Sequence, residues 1–157
     1  MITKKFKGIW FYGLSGSGKT IASLFIKNHI KHSILVDGDK VRKYISTDLS
    51  YSLKDRKIQV GRVIGLVKLA KDSKIFPIVS TVYMNGLLMR RIKKEKIFLI
   101  KIQRNFERIK NREKIYNRKI KNVIGIDINF PRIKNEFIIE NNSTIKNLYK
   151  KLKKEIL

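Results

Sequence analysis

Ile9-Trp10-Phe11-Tyr12-Gly13-Leu14-Ser15-Gly16-Ser17-Gly18-Lys19-Thr20 is the stretch that decides the fold. Four large apolar residues stop at a glycine, which reads as a short buried strand running into a turn. The next eight residues satisfy G-x-x-x-x-G-K-[ST] at each fixed position, and a helical pattern follows them (Ile21, Leu24, Phe25). Strand, glycine-rich loop and helix in that order make a phosphate cradle. The glycines let backbone N–H groups curl around phosphate oxygens, and the start of the helix adds positive partial charge. Lys19 is expected to reach the outer phosphates, and the Thr20 hydroxyl to bind Mg²⁺. Gly13, Ser15, Gly16, Ser17, Gly18, Lys19 and Thr20 are therefore the expected ATP-binding residues, with ATP and Mg²⁺ as the small molecules required.

Outward from this loop, short apolar runs alternate with helical patterns. A helix is expected over residues 18–30, a strand over 34–36, a helix over 55–71 and a strand over 75–82. A short helix at 86–91, a strand at 97–102, a basic helix at 105–114, a strand at 137–139 and an amphipathic helix at 144–156 complete the chain. Such alternation predicts an α/β fold of three layers, the P-loop NTPase/kinase arrangement, with a central parallel sheet of about five strands and helices on both faces. No repeat or linker divides the 157 residues, so residues 1–157 read as a single domain. The Lys/Asn-rich stretch 110–122 is the expected mobile segment, within a lid-like region at about 110–125.

Composition narrows the function further. Cysteine is absent, which excludes disulfides, zinc–thiolate sites, iron–sulfur clusters and a Cys nucleophile. The uncharged run 75–89 is too short and too polar for a membrane span. The first residues carry no apolar signal segment with a cleavage site, so the expected location is the cytoplasm, without a membrane partner. Thirty-seven Lys+Arg against twelve Asp+Glu leave a net charge of +25. That balance would suit a polyanion, but the basic residues are dispersed along the chain, and dispersed lysines are more often a solvated surface. Nucleic acid is accordingly not the expected partner. An Asn-Lys-x-Asp guanine signature is lacking, which argues against a GTPase.

Behind the second expected strand stand Asp37-Gly38-Asp39-Lys40-Val41-Arg42, then Asp48-Leu49-Ser50-Tyr51-Ser52-Leu53-Lys54-Asp55-Arg56, then Gln59 and Arg62. With Trp10-Phe11-Tyr12-Gly13-Leu14-Ser15-Gly16, these residues resemble the adenylylsulfate kinase family. That family reads W-F-T-G-L-S-G, then D-G-D-N-[VI]-R, then D-L-G-F-S-x-x-D-R-x-x-N-x-R-R. Tyr116, residues 120–127 and the tail through Pro131 and residues 136–141 are similar to the family's later motifs. The resemblance implies transfer of the ATP γ-phosphoryl to the ribose 3′-hydroxyl of adenylylsulfate by a small-molecule kinase, and it suggests a homodimer. On it, Asp37 and Lys19 are the implied catalytic residues, with Asp37 also holding Mg²⁺ through water. Asp37, Asp39, Arg42, Tyr51, Arg56, Gln59, Val82 and Tyr83 are the implied acceptor-binding residues. The chemistry agrees, because guanidinium forks match phosphate oxygens and a carboxylate can take a hydroxyl proton. Taken alone, Asp37-Gly38-Asp39 would read as an ordinary Asx turn.

The departures cluster on the acceptor side. Lys40 and Gln59 stand at the family's asparagines, and Gly61 at one of its arginines. Val82-Tyr83-Met84-Asn85 replaces I-S-P-Y, and Glu113-Lys114-Ile115-Tyr116 replaces K-G-L-Y. They admit a second acceptor. The cytidine diphosphoramidate kinases of capsule pathways resemble this family and phosphorylate an analogous hydroxyl on a pyrimidine nucleotide. A nucleic-acid-binding P-loop NTPase or polynucleotide kinase is a further alternative, supported by charge alone.

Overall fold

The computed structural model describes residues 2–116, 121–131, 133–134 and 136–157. Part of the expected mobile and lid-like segment, residues 117–120, lies outside the described residues.

Five strands form one parallel sheet: β1 (Gly8–Tyr12), β2 (Ser33–Asp37), β3 (Phe76–Thr81), β4 (Ile97–Gln103) and β5 (Ile138–Glu140). Their order is β2-β3-β1-β4-β5. β1 is therefore central, with Trp10 level with Val79 on one side and Leu99 on the other. Six helices cover the sheet: α1 (Lys19–Lys27), α2 (Gly38–Tyr44), α3 (Leu53–Asp72), α4 (Gly86–Lys94), α5 (Phe106–Lys110) and α6 (Ile145–Ile156).

The two-residue period of β1 divides the core. Ile9 and Phe11 point to one face and pack with Ala22 and Ile26 of α1 and with Leu148, Leu152 and Ile156 of α6. Trp10 and Tyr12 point to the other and pack with Val60, Val63 and Val67 of α3 and with Leu88 and Ile92 of α4. All four β1 side chains are fully buried. A strand buried on both faces must read as a continuous apolar run, which is what residues 9–12 show. Each such side chain contributes about 1.5–3 kcal/mol by leaving water.

The helices begin where side chains satisfy their free N–H groups. Ser52 Oγ accepts from Asp55 N (3.1 Å), Asn85 Oδ1 from Leu88 N (2.9 Å) and Thr144 Oγ1 from Asn147 N (3.3 Å). The Ser52 cap starts α3 two residues before the expected boundary. No helix is expected from the sequence at 38–44, whereas Asp37 caps one there, and the turn that Asp37-Gly38-Asp39 suggests in isolation is the first turn of α2. The basic helix expected over 105–114 ends at Lys110.

Candidate active site

In an open parallel sheet, ligands bind outside the carboxyl ends of the strands, where the strand order reverses. The connection after β1 runs toward β2 and that after β3 crosses to β4, so the reversal lies between β1 and β3. A cavity of about 580 Å³ opens there, and the ends of β2 and β3 and the loop after β1 all contribute to it. Trp10 Nε1 donates to Thr81 Oγ1 (2.7 Å), fixing the β1 and β3 ends against each other beneath the cavity.

The loop after β1 forms one wall, and remote residues hold it. The Tyr116 hydroxyl donates to the Ser15 carbonyl (3.1 Å), and Asn141 Nδ2, just past β5, donates to the Ser17 carbonyl (2.8 Å). Gly18 takes a left-handed φ of 104°, and a β-carbon on it would run into the Asn141 amide. Only glycine meets both conditions. Lys19 Nζ donates to the Leu14 carbonyl (2.6 Å), so the ammonium arches over the loop. Burial lowers the Lys19 pKa from 10.5 to about 8, while Asp39, Asp37 and Glu113 act in the opposite direction. Ser15, Gly16, Gly18, Lys19 and Thr20 all line the cavity. Gly13 and Ser17 do not; they border a separate cavity of about 440 Å³ behind the loop.

The facing wall comes from β2, α2, α3 and the end of β3. Asp37 Oδ1 accepts from Asp39 N (3.0 Å) and Lys40 N (3.2 Å). Both bonds fall on the same oxygen, and Oδ2 makes no hydrogen bond among the described residues. The Asp37-Gly38 turn sits close over β3, since a β-carbon on Gly38 would come within 3.0 Å of the Ser80 carbonyl. The Arg42 and Arg56 guanidiniums lie 4.6 and 5.4 Å from the Tyr51 ring centre. Arg42 also donates to the Ser50 carbonyl (2.6 Å), and Arg56 to the carbonyls of Tyr51 (3.0 Å) and Asn122 (2.9 Å). Burial, then the neighbouring Arg42 charge, lowers the pKa of Arg56. Two guanidiniums held this close form a site that favours an anion.

Asp37, Asp39, Arg42, Tyr51, Arg56, Gln59, Val82 and Tyr83 all line the same cavity as the loop. Gln59 is nearly buried and its amide nitrogen donates to the Gly38 carbonyl (3.0 Å), bracing the turn that carries Asp37. Tyr83 is buried, and its hydroxyl accepts from Asn85 Nδ2 (3.0 Å). Four of the departures expected to bear on the acceptor, Lys40, Gly61, Met84 and Asn85, are absent from the cavity lining. Met84 is core, and Gly61 is absent from the cavity lining, with nothing within 4 Å of where its side chain would start.

The structure adds Arg104, Arg112, Glu113, Asn141, Ser143, Thr144 and Ile145 to the lining. Arg104 directly follows β4, and Asn141 directly follows β5. A signal for them existed, because polar residues just past strand ends are the ones an open parallel sheet presents to a ligand. Thr20 and Asp37 offer hard oxygen donors to one cavity. Among the described residues no three His, Asp or Glu side chains are grouped to hold a metal by themselves. That fits Mg²⁺ bound by one or two protein oxygens, substrate phosphates and water. No described helix is long and apolar enough to cross a membrane.

A family model described as adenylylsulphate kinase matches residues 5–140. The adenylyl-sulfate kinase of Buchnera aphidicola subsp. Acyrthosiphon pisum is 39% identical over 79 residues, which are 47% of this chain and 38% of that protein. The bifunctional enzyme NodQ of a Rhizobium strain is 43% identical over 75 residues, 45% of this chain and 12% of that protein. The matched segment thus spans well under half the length of these curated relatives. The APS kinase of Mycobacterium tuberculosis, solved in complex with AMPPNP and APS, superposes with a TM-score of 0.82 at 21% identity, covering 96% of both chains.

Proposed function

The chain belongs to the adenylylsulphate kinase family, and on that premise we propose that it transfers the ATP γ-phosphoryl to the ribose 3′-hydroxyl of adenylylsulfate. One observation carries the reading: a complete phosphate loop with Lys19 shares one cavity with Asp37 and with the Arg42–Tyr51–Arg56 group. The triphosphate lies in the loop, against Lys19 and the first turn of α1. The acceptor lies opposite, its base against Tyr51 and its phosphate or sulfate against Arg42 and Arg56. Asp37 Oδ2 takes the 3′-hydroxyl proton as the oxygen bonds to the γ-phosphorus, the bond to the β-phosphate oxygen breaks and ADP leaves. Lys19 holds the charge that gathers on the transferred group. Thr20, and Asp37 through water, would hold Mg²⁺, which when bound would draw charge from the phosphate oxygens. The reading places the enzyme in the cytoplasm as a small-molecule kinase.

Tyr83 supports a second acceptor. It lines the cavity at a position where the family's motif has the smaller serine, a change that favours a base smaller than a purine. A cytidine nucleotide such as cytidine diphosphoramidate answers that constraint. ADP release measured side by side with adenylylsulfate and with cytidine diphosphoramidate tests both readings. Higher kcat/KM on adenylylsulfate supports the first, and the reverse supports the second. Turnover with neither, but with a polynucleotide 5′ end, would overturn both.

A further inference from the structure

We infer that Glu113 is a charge filter on the nucleotide site, which makes the phosphate loop discriminate metal-complexed from metal-free nucleoside triphosphate. The inference rests on the reading of the cavity as an ATP site. After α5 the chain turns back across the phosphate loop and is fixed there. Ile109 and Tyr116 are buried with Val123 against Leu14 and Phe106. The Glu113 backbone is held on both sides, its N–H donating to the Ile109 carbonyl (2.9 Å) and its carbonyl accepting from Tyr116 N (3.1 Å). The side chain is thereby laid against the loop, and a β-carbon on Gly16 would collide with it.

Glu113 lines the same cavity as Gly16, Lys19 and Thr20. It is one of three carboxylates, with Asp39 and Asp37, whose charge acts on Lys19. Asp37 is engaged as the cap of α2, whereas the Glu113 carboxylate makes no hydrogen bond or ion pair among the described residues.

The sign of its effect follows from Coulomb's law. A carboxylate beside the cradle repels a triphosphate in proportion to the ligand's charge, and a half-buried position weakens screening by salt. A bound divalent cation cancels about half of the charge of the triphosphate. Glu113 therefore opposes the metal-free ligand more strongly than the complex. Lys19 and the loop N–H groups attract the metal-free ligand more strongly by the same law, so Glu113 offsets a preference that they would otherwise impose.

The test is equilibrium titration of the full chain with ATP, without acceptor and at constant ionic strength, in excess EDTA and in excess Mg²⁺. Wild type, Glu113→Gln and Glu113→Asp are compared. The ratio of the two dissociation constants should fall by about fivefold or more in Glu113→Gln, chiefly through tighter binding of metal-free ATP, and be largely kept in Glu113→Asp. By linkage, the Mg²⁺ affinity of the protein–ATP complex should fall by the same factor. An unchanged ratio in Glu113→Gln, with ATP still bound, would overturn the Glu113 inference alone. Failure of the wild type to bind ATP in either condition would overturn the phosphate-loop reading, and this inference with it.

Discussion

The two walls of the cavity are built by different means. The phosphate-loop wall is mostly backbone: eight contiguous residues, two of whose carbonyls are held by Tyr116 and Asn141 from far along the chain. The acceptor wall is mostly side chains, brought from α2, the loop before α3, α3 itself and the end of β3. A backbone cradle recognises what all nucleoside triphosphates share, so its sequence is constrained residue by residue. On the proposed reading the side-chain wall would recognise one acceptor, and it can be remodelled one substitution at a time while the donor wall stays intact. The departures from the family pattern at Gln59, Val82 and Tyr83 lie on that second wall. Glu113 is the exception, a departure that touches the donor side.

The contrast can be broken by mutation, and the largest effect should come from the donor wall. Lys19→Ala should lower kcat about 10²–10³-fold, as loss of one preorganised donor to a developing charge does. Its thermal unfolding should be little changed, because Lys19 contributes a buried charge rather than core packing. Single-turnover kinetics beside a melting curve checks both. Near-normal turnover in the folded variant would refute the donor assignment.

Asp37→Asn should lower kcat by about 10²-fold while ATP binding holds, since asparagine still caps α2 but cannot take a proton. Asp39→Asn should cost less. Pre-steady-state rates for the two variants compare them, and the reverse ranking would move the proton acceptor to Asp39, whose effect on Lys19 is the larger of the two.

On the acceptor wall, Arg56→Ala should raise the acceptor KM by about tenfold to a hundredfold, the range for one charge-assisted contact. The dissociation constant for ATP should stay within about twofold, because energetic effects of well-separated sites are nearly independent. Equal loss on both ligands would mean that the walls are not separate.

The smallest expected effect is one of pH. Lys19 must be charged to hold a phosphate, and burial lowers its pKa to about 8. ATP affinity, followed by titration, should fall as pH rises through about 8, by at most about tenfold per unit. The stability contribution of the same group runs the other way. Between about 8 and 10.5 the unfolded chain holds the proton that the folded one has released, so this group makes folding more favourable as pH rises. A flat affinity profile with Lys19 intact would show that the ammonium is not the phosphate contact.

The proposed donor site was open to sequence reading because its motif is contiguous. Gly13 through Thr20 is one turn between a strand and a helix, and spacing alone specifies it. The three-layer fold was equally legible, since β1 has to be apolar on both faces. On the acceptor side, Arg42, Tyr51 and Arg56 could be grouped only through resemblance, as nothing local to any of them points at a nucleotide. Gly61 and Met84 show the limit of that route. Both align with acceptor-side positions of the family, yet one is absent from the cavity lining and the other lies in the core.

By itself the sequence determined the order of the strands and of every helix but α2, the parallel sheet and the phosphate cradle, because hydrophobic period and glycine placement are local properties of the chain. The tertiary structure decided which side chains from distant segments meet at the strand ends. Tyr116 on Ser15, Asn141 on Ser17 and Glu113 against Gly16 join positions from 97 to 124 residues apart, and Arg104 lies just past the end of β4. Contacts of that span are set by how the helices and returning loops pack on the sheet, and no local pattern of residues encodes them.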